Sequence, residues 1–425
     1  MLFSPDHPIE HIRRWQDDYT RFRRDLHAHP ELGFEEHRTA QRISERLTAL
    51  GIEHHAGIGK TGMVAVIRGS ETSPHSIGLR ADMDALSMQE EGDCPHASTV
   101  PGRMHGCGHD GHATMLLACA HYLQETRRFA GTAYLIFQPA EEGRGGGKAM
   151  LADGLFERFP AERIFALHNW PGLPVGKVAV RSGPVMAACD YIAIDIEGCG
   201  GHGAHPHLTV DPVLVAGHII TAAQSIVARN ISPIDHAVIS LCGMQAGNMD
   251  AKNVIPRTAR LVGTVRTFNA RTQERIEARL RELVTSVAAG FGARATLRYD
   301  RIDPATLNDA QQARFAARVA AQLFGEENIV HDLEPSMGAE DFSYMLQQKP
   351  GAYLRLGQGS TGGGSDERHN LFLHNSRYDF NDAAIPYGAG LLAGLVEAGL
   401  PVRGQVSDVR GQVSEGRRQG SEGRD

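Results

Sequence analysis

The sequence predicts an α/β fold with a mostly parallel sheet flanked by helices, interrupted by an inserted ferredoxin-like α+β domain. Three observations predict it. Short apolar runs alternate with helical stretches through the first part of the chain. Between about Met186 and Ile302 the order becomes strand, helix, strand, strand, helix, strand, the split βαβ arrangement. The first pattern resumes near Asp309. Residues 1–185 and 303–400 are therefore expected to form one discontinuous domain, 186–302 the insertion and 401–425 a disordered tail.

Taken in order, Ile9, Ile12, Tyr19, Phe22 and Leu26 fall at helical spacing, and Pro30 closes that segment. A second helix is expected from about Glu36 to Leu50, with Gly51 in the C-cap position. Apolar runs at Met63–Ile67, Ile77–Leu79, Ala133–Phe137 and Ile164–Leu167 read as strands, with a helix from His112 to about Arg127 among them. Sites in open α/β sheets form outside the carboxyl ends of strands. Three of the runs end in polar clusters: Arg80-Ala81-Asp82-Met83-Asp84, Gln138-Pro139-Ala140-Glu141-Glu142-Gly143 and His168-Asn169-Trp170. A parallel sheet puts all three on one rim. In the insertion, strands at Tyr191–Ile196, Ala237–Leu241, Ala259–Phe268 and Ala295–Tyr299 alternate with helices at Pro212–Ala228, capped by Asp211, and Gln273–Ala289. The first domain then adds Ser336–Met345, a Gly-rich loop Gly357–Gly364, the segment Leu373-His374-Asn375 and a closing helix from about Asp382 to Ala398. Beyond it, Val402-Arg403-Gly404-Gln405-Val406-Ser407 recurs as Val409-Arg410-Gly411-Gln412-Val413-Ser414, in a composition unable to bury a core.

Composition excludes several classes of function. A net charge of -7 and a pI near 6.3 create no field that would gather nucleic acid or anionic lipid. No apolar run of about 18 residues is read, and Met1-Leu2-Phe3-Ser4-Pro5-Asp6 lacks the regions of a signal peptide, so a cytoplasmic location is expected. Six widely spaced cysteines fit reduced thiols better than a disulfide framework. The 22 histidines exceed what packing requires and point to metal chemistry.

The run Met104-His105-Gly106-Cys107-Gly108-His109-Asp110-Gly111-His112 places two metal-ligand types, Cys107 and His109, two residues apart among glycines. These two, with Glu142, His168 and His374, each sit in a loop following a strand or in a Gly-rich turn. The five are expected to surround two divalent ions and leave room for water. For any one of them alone, a surface or packing role is as good a reading; their joint placement decides. In the adjacent pair Glu141-Glu142, one carboxylate can bind metal while the other moves a proton, so Glu142 is read as ligand and Glu141 as base. Asp84 is read as the acceptor that orients a ligand imidazole.

Seven motifs carry a resemblance across almost everything before the tail. They are Asp25-Leu26-His27-Ala28-His29-Pro30-Glu31-Leu32-Gly33, Arg80 to Leu86, Met104 to His112, Gln138 to Gly143, Ala166-Leu167-His168-Asn169, Gly338-Ala339-Glu340-Asp341-Phe342 and Leu373-His374-Asn375. They resemble the M20 metallopeptidase family, in its branch of hippurate hydrolases, N-acyl amino acid amidohydrolases and indole-acetyl amino acid hydrolases. The resemblance implies a zinc-peptidase-like catalytic domain and a binuclear amidohydrolase, holding manganese or zinc, with cobalt or nickel as further candidates. It also implies a lid and dimerisation domain, hence a homodimer or higher homo-oligomer. By the same resemblance His202, in Gly201-His202-Gly203, would stabilise the oxyanion, in its own subunit or across a dimer. Asn253 and Arg266 would hold the substrate carboxylate. The wider family usually has His where this chain has Asp82 and Asp where it has His109; this chain resembles instead the branch in which Cys107 enters the metal shell, so Asp82 is not carried over as a ligand.

Three motifs are decoys. Gly198-Cys199-Gly200-Gly201-His202-Gly203 satisfies a dinucleotide fingerprint, but the next helix begins only after Asp211. Gly59-Lys60-Thr61 ends like a P-loop, yet His54 stands where its first glycine belongs. Gly147-Lys148 is followed by Ala149. The expected function is cleavage of N-acyl amino acids to a carboxylic acid and a free amino acid. The alternatives are deacetylation of N-acetyl-diaminopimelate, an aminopeptidase or dipeptidase activity, and, from another class, non-catalytic metal binding.

Overall fold

A computed structural model describes residues 7–331, 333–360 and 367–403. The expected tail beyond Arg403 and the end of the expected Gly-rich loop lie outside the described residues. Contacts divide the chain into two compact units. The first runs from the N-terminus through Gly183 and resumes over Asn308–Leu333 and from Tyr344 onward; the second comprises Pro184–Leu307 and Glu334–Ser343.

The first unit opens with α1 (Pro8–Arg13), α2 (Gln16–Ala28) and α3 (His37–Ala49). The single opening helix expected from the apolar spacing is two, broken at Arg14 and Trp15. The break lets the Trp15 ring lie flat on His121, centroids 3.7 Å apart. Strands β1 (Glu53–Ile58) and β2 (Gly62–Arg68) form a hairpin, followed by β3 (Glu71–Asp82), α4 (His109–Thr126), β4 (Ala130–Gln138), α5 (Gly146–Ala152), α6 (Leu155–Arg158), β5 (Arg163–Pro174) and β6 (Val178–Ala179). Helix α4 is buried along most of its length, as its run of Ala, Leu, Met and Cys dictates.

The second unit begins with β7 (Gly183–Met186) and continues β8 (Ala188–Glu197), β9 (Gly201–His202), α7 (Pro212–Asn230), β10 (Ala237–Ala246), β11 (Val254–Ile255), β12 (Thr258–Thr267), α8 (Ala270–Gly290), β13 (Arg294–Asp303) and β14 (Thr306–Asn308). Its four long strands make an antiparallel sheet in the order β10-β12-β8-β13, the ferredoxin-like order. Asp211 caps α7 by accepting from the Val213 N–H, 2.8 Å, and Asn269 caps α8 through the Thr272 N–H, 2.8 Å. By length and composition α7 could cross a membrane, contrary to the sequence reading. Here Val215, Ala216, Ile219, Ala223 and Ile226 pack it into the cores of this unit. The unit also takes in Ser336, whose N–H donates to Val185 O, 2.9 Å, and whose carbonyl accepts from Ala187 N–H, 3.1 Å. That pairing explains why Glu334–Ser343 clusters here rather than with the segments on either side.

The chain then returns to the first unit through α9 (Ala310–Phe324), β15 (Ile329–Val330), α10 (Phe342–Gln348), β16 (Gly351–Gly359) and α11 (Ile385–Gly399). Part of the expected Gly-rich loop is thus the end of a strand, since Gly357–Gly359 belong to β16. The eight-stranded sheet has the order β1-β2-β4-β3-β5-β16-β6-β15. It is mixed: β4, β3, β5 and β16 run parallel at its centre, while β1, β2 and β6 pair antiparallel. In register, Asp82 faces Gln138, and the β3/β5 pairing ends at Arg80 opposite Ala166, two residues before Asp82 and His168. The carboxyl ends of three neighbouring strands therefore share one rim.

Candidate metal centre

The loop before α4 delivers the first donors. Gly108, with φ +88°, turns the chain so that Cys107 and His109 converge; a Cβ there would stand 2.6 Å from both Asn169 Oδ1 and Tyr378 Oη. His168, on β5, points its Nε2 to within 3.5 Å of Cys107 Sγ, while its Nδ1–H donates to the Asn169 carbonyl, 2.8 Å. The tautomer that leaves Nε2 for an ion is thereby fixed. The ligand atoms of Cys107, His109 and His168 all lie within 4.8 Å of one another.

Glu142 and His374 complete a second triad on the same Cys107, also within 4.8 Å. His374 Nε2 stands 3.3 Å from Glu142 Oε1, and His109 Nε2 stands 4.0 Å from it. His374 holds a left-handed backbone, φ 65°, with its N–H bound to Gly106 O, 2.8 Å. Ala140, before the glutamate pair, is left-handed too, φ 54°, and its N–H donates to the fully buried Glu36, 2.8 Å. Such conformations cost about 1–3 kcal/mol each and persist where surrounding structure enforces them. The structure thus brings Cys107, His109, Glu142, His168 and His374 together, with Glu141 half-buried beside them.

Asp84 ties two segments. Its carboxylate accepts from His109 Nδ1–H (3.2 Å), Glu141 N–H (3.1 Å) and Glu142 N–H (3.0 Å). Asp82 lies deeper, where one oxygen takes Arg80 (2.8 Å) and the other His112 (2.5 Å), with His109 Nε2 3.8 Å away. Sequence reasoning missed His112, Asn169, Tyr378 and Glu36. Asn169 N–H donates to His112 Nε2 (3.0 Å), and its amide donates to Tyr378 Oη (2.7 Å), so this chain props His168 from behind.

The electrostatics are those of a site short of positive charge. Burial opposes the charged form of His109, yet Asp82, Asp84 and Glu142 outweigh it and hold the imidazole up at about 10. Burial and then the carboxylates of Glu142, Glu141 and Asp82 push the Cys107 thiol well up. Burial and the neighbouring His112 push His168 well down, which keeps it neutral. His109 Nε2 and Glu142 Oε1 are buried polar atoms with no hydrogen-bond partner among the described residues. With His109 Nδ1–H given to Asp84, its Nε2 and the Glu142 oxygen both offer lone pairs beside one thiol, which fits a cation that accepts from both. The donor set of one thiol, three imidazoles and one carboxylate fits divalent ions of borderline softness.

Another donor-rich group, His27, Glu90 and Cys94, is supplied with charge by the protein itself. Buried Arg23 reaches Asp110, Asp379 and Asp382 at 3.4, 3.0 and 2.7 Å, and His27 bridges Asp110 and Glu90 at 2.8 and 3.4 Å. Burial works against a charge on His27, but Asp110 and Glu90 hold it up at about 9.

The remaining candidates belong to the second unit. His202, exposed on β9, pairs with Val254 on β11, next to Asn253, whose carbonyl accepts from Gly203 N–H, 2.7 Å. His202 Nδ1 accepts from Ala204 N–H, 3.1 Å, so Nε2 carries the proton and is a donor. Arg266 is half-buried on β12 opposite Cys189 and Val238.

Comparison with known proteins agrees with this chemistry. Residues 78–398 match the family described as Peptidase family M20/M25/M40. The hippurate hydrolase of Campylobacter jejuni is 38% identical over 387 residues, covering 91% of this chain and 98% of that one. The N-acetylcysteine deacetylase of Bacillus subtilis is 40% identical over 345 residues, covering 80% and 88%. Among solved structures, the YXEP protein of Bacillus subtilis, a dinuclear metal binding peptidase from the M20 family, superposes with a TM-score of 0.78 at 34% identity, covering 91% of this chain and 99% of that one.

Proposed function

The chain belongs to peptidase family M20/M25/M40, and from that membership we propose that it is a binuclear metal-dependent amidohydrolase that cleaves N-acyl amino acids to a carboxylic acid and a free amino acid. The observation that carries this reading is the pair of donor triads sharing Cys107, with Glu141 adjoining them. Cys107, His109, Glu142, His168 and His374 would hold the ions. Bound there, divalent cations would polarise the acyl carbonyl and acidify a water.

Glu141 takes the proton of the attacking water and delivers it to the leaving nitrogen, so water adds across the C–N bond and nothing else is consumed. Asp84 fixes the backbone from which Glu141 reaches out. His202 donates from Nε2 to the developing oxyanion, and Asn253 and Arg266 hold the substrate carboxylate. The second unit serves as lid and dimerisation domain, and the working form is a homodimer or higher homo-oligomer. Zinc or manganese would occupy the centre; a thiol with three imidazoles would also accept cobalt or nickel.

A second reading, in which acetyl is the preferred acyl group, is favoured by the similarity to a Bacillus N-acetylcysteine deacetylase. One experiment separates the possibilities. The protein is stripped with chelator, reloaded separately with manganese, zinc, cobalt or nickel, and assayed on benzoyl-glycine, N-acetyl amino acids and free dipeptides. Metal-restored release of the free amino acid is expected. Full metal loading without turnover of any acyl amino acid would replace this reading with a non-catalytic one. Glu141→Gln is expected to lower kcat by about 10²–10⁴-fold with metal content unchanged.

A further inference from the structure

Two aromatic side chains of the first unit stand two residues along the chain from members of the donor set, and the chemistry above uses neither. Trp170 follows His168 by two residues on β5, so strand alternation puts both on one face. Two residues of strand rise about 6.6 Å, comparable with the reach of a benzoyl group from its carbonyl carbon. Phe372 precedes His374 by two residues, in the segment fastened to Gly106. The two rings meet edge to face, centroids 5.4 Å apart and planes at 90°. On β16, Arg355 is the register partner of His168; buried, it lies 4.1 Å from the Trp170 ring centroid. A guanidinium against an indole face holds that ring's plane. Phe372 is 57% exposed, an apolar ring left in water two residues from a metal-ligand candidate.

We propose that Trp170 and Phe372 form the acyl subsite, a right-angled corner that receives the aromatic acyl group of an N-acyl amino acid. The inference rests on the amidohydrolase reading and deepens it by naming the acyl class. A flat ring entering the corner stacks on one wall and presents its edge to the other, both favourable arrangements at centroid separations of about 4.5–7 Å. An acetyl group is too small to touch both walls. The rings therefore discriminate by contact area, while the donor set treats every acyl carbonyl alike.

The test compares benzoyl-glycine with N-acetyl-glycine in metal-loaded Trp170→Ala and Phe372→Ala, with Trp170→Phe and Phe372→Leu as milder variants. Loss of one large apolar wall should lower kcat/KM for benzoyl-glycine by about 10-fold or more, and that for N-acetyl-glycine by no more than about 3-fold. The milder variants should recover most of the loss. A parallel fall on both substrates, or no fall on either, overturns the proposal. A binding measurement decides the matter without turnover. Trp15 and Trp170 are the chain's two tryptophans, so Trp15→Phe combined with Glu141→Gln leaves Trp170 as the single indole emitter in an inactive protein. Benzoyl-glycine should change that emission along the saturation curve seen by calorimetry, and flat emission across saturation overturns the subsite. Wild-type protein that cleaves neither substrate would sink the amidohydrolase reading, while the emission titration would still judge the corner.

Discussion

Asp84 carries more structural consequence than any single ligand candidate, because one carboxylate sets the tautomer of His109 and pins the backbone of both Glu141 and Glu142. Asp84→Asn should weaken metal binding about 10- to 100-fold, read by competition with a chromogenic chelator. Unchanged affinity in a folded variant would remove Asp84 from this role. Gly108→Ala should destabilise the first unit by at least about 1–2 kcal/mol from its positive φ alone, with more from the approach to Asn169 and Tyr378, measurable by urea denaturation. The ligand candidates were legible because each is a donor type close to the end of an apolar run or beside a glycine or polar turn, although in the structure His168 lies within β5 and His109 opens α4. The supporting roles of His112 and Asn169 were not legible, although both lie in motifs that the sequence singles out, and Tyr378 and Glu36 carry no local mark that separates them from ordinary loop residues. Their role exists only once β5, α4 and the segment around Tyr378 are packed together.

At the level of elements, α4 and α11 form a buried pair, and their contact includes a titratable group: Tyr122 Oη donates to Glu397 Oε1, 3.0 Å. Burial raises the Glu397 carboxyl to about 7 against an ordinary 4.5. The unfolded chain thus loses this proton more readily than the folded one, so stability falls as pH rises from about 4.5 to 7 and levels off above. Glu397→Gln keeps an acceptor for Tyr122 but does not ionise. It should gain stability over the wild type through that window, reaching about 3 kcal/mol at pH 8, and match it near pH 4. Melting curves of both proteins across pH check the sign; an equal difference at every pH would contradict it. Central strands were legible from apolar runs, whereas β1 was not, because an edge strand reading Glu53-His54-His55-Ala56 is exposed and lacks apolar alternation. Strand β16 was obscured in the opposite way. It is buried throughout, but its glycines at 357 and 359 fall in the stretch read as a Gly-rich loop.

At the scale of the molecule, the donor set joins positions 107 to 374, so metal loading and folding of the first unit are linked. Chelation should lower the melting temperature and re-addition of metal restore it; occupancy at about 100 times Kd corresponds to about 2.7 kcal/mol. A melting temperature indifferent to chelator would argue against ions in this centre. The ferredoxin-like order of the inserted sheet was legible because its long strands and helices follow one another in the split βαβ sequence. The pairing of Ser336 with the Val185–Ala187 segment was not, since it links residues far apart in sequence with no pattern in either.

The place of β16, hydrogen-bonded between β5 and β6, has a consequence for synthesis. A nascent chain that has emerged only through the inserted unit carries an open seam along β5 where its neighbour has yet to arrive, and such an unpaired edge invites pairing with other chains. Closing that seam requires one long-range pairing, so refolding should be slow and concentration-sensitive. A fragment ending before Gly351 should be the form that chaperones hold.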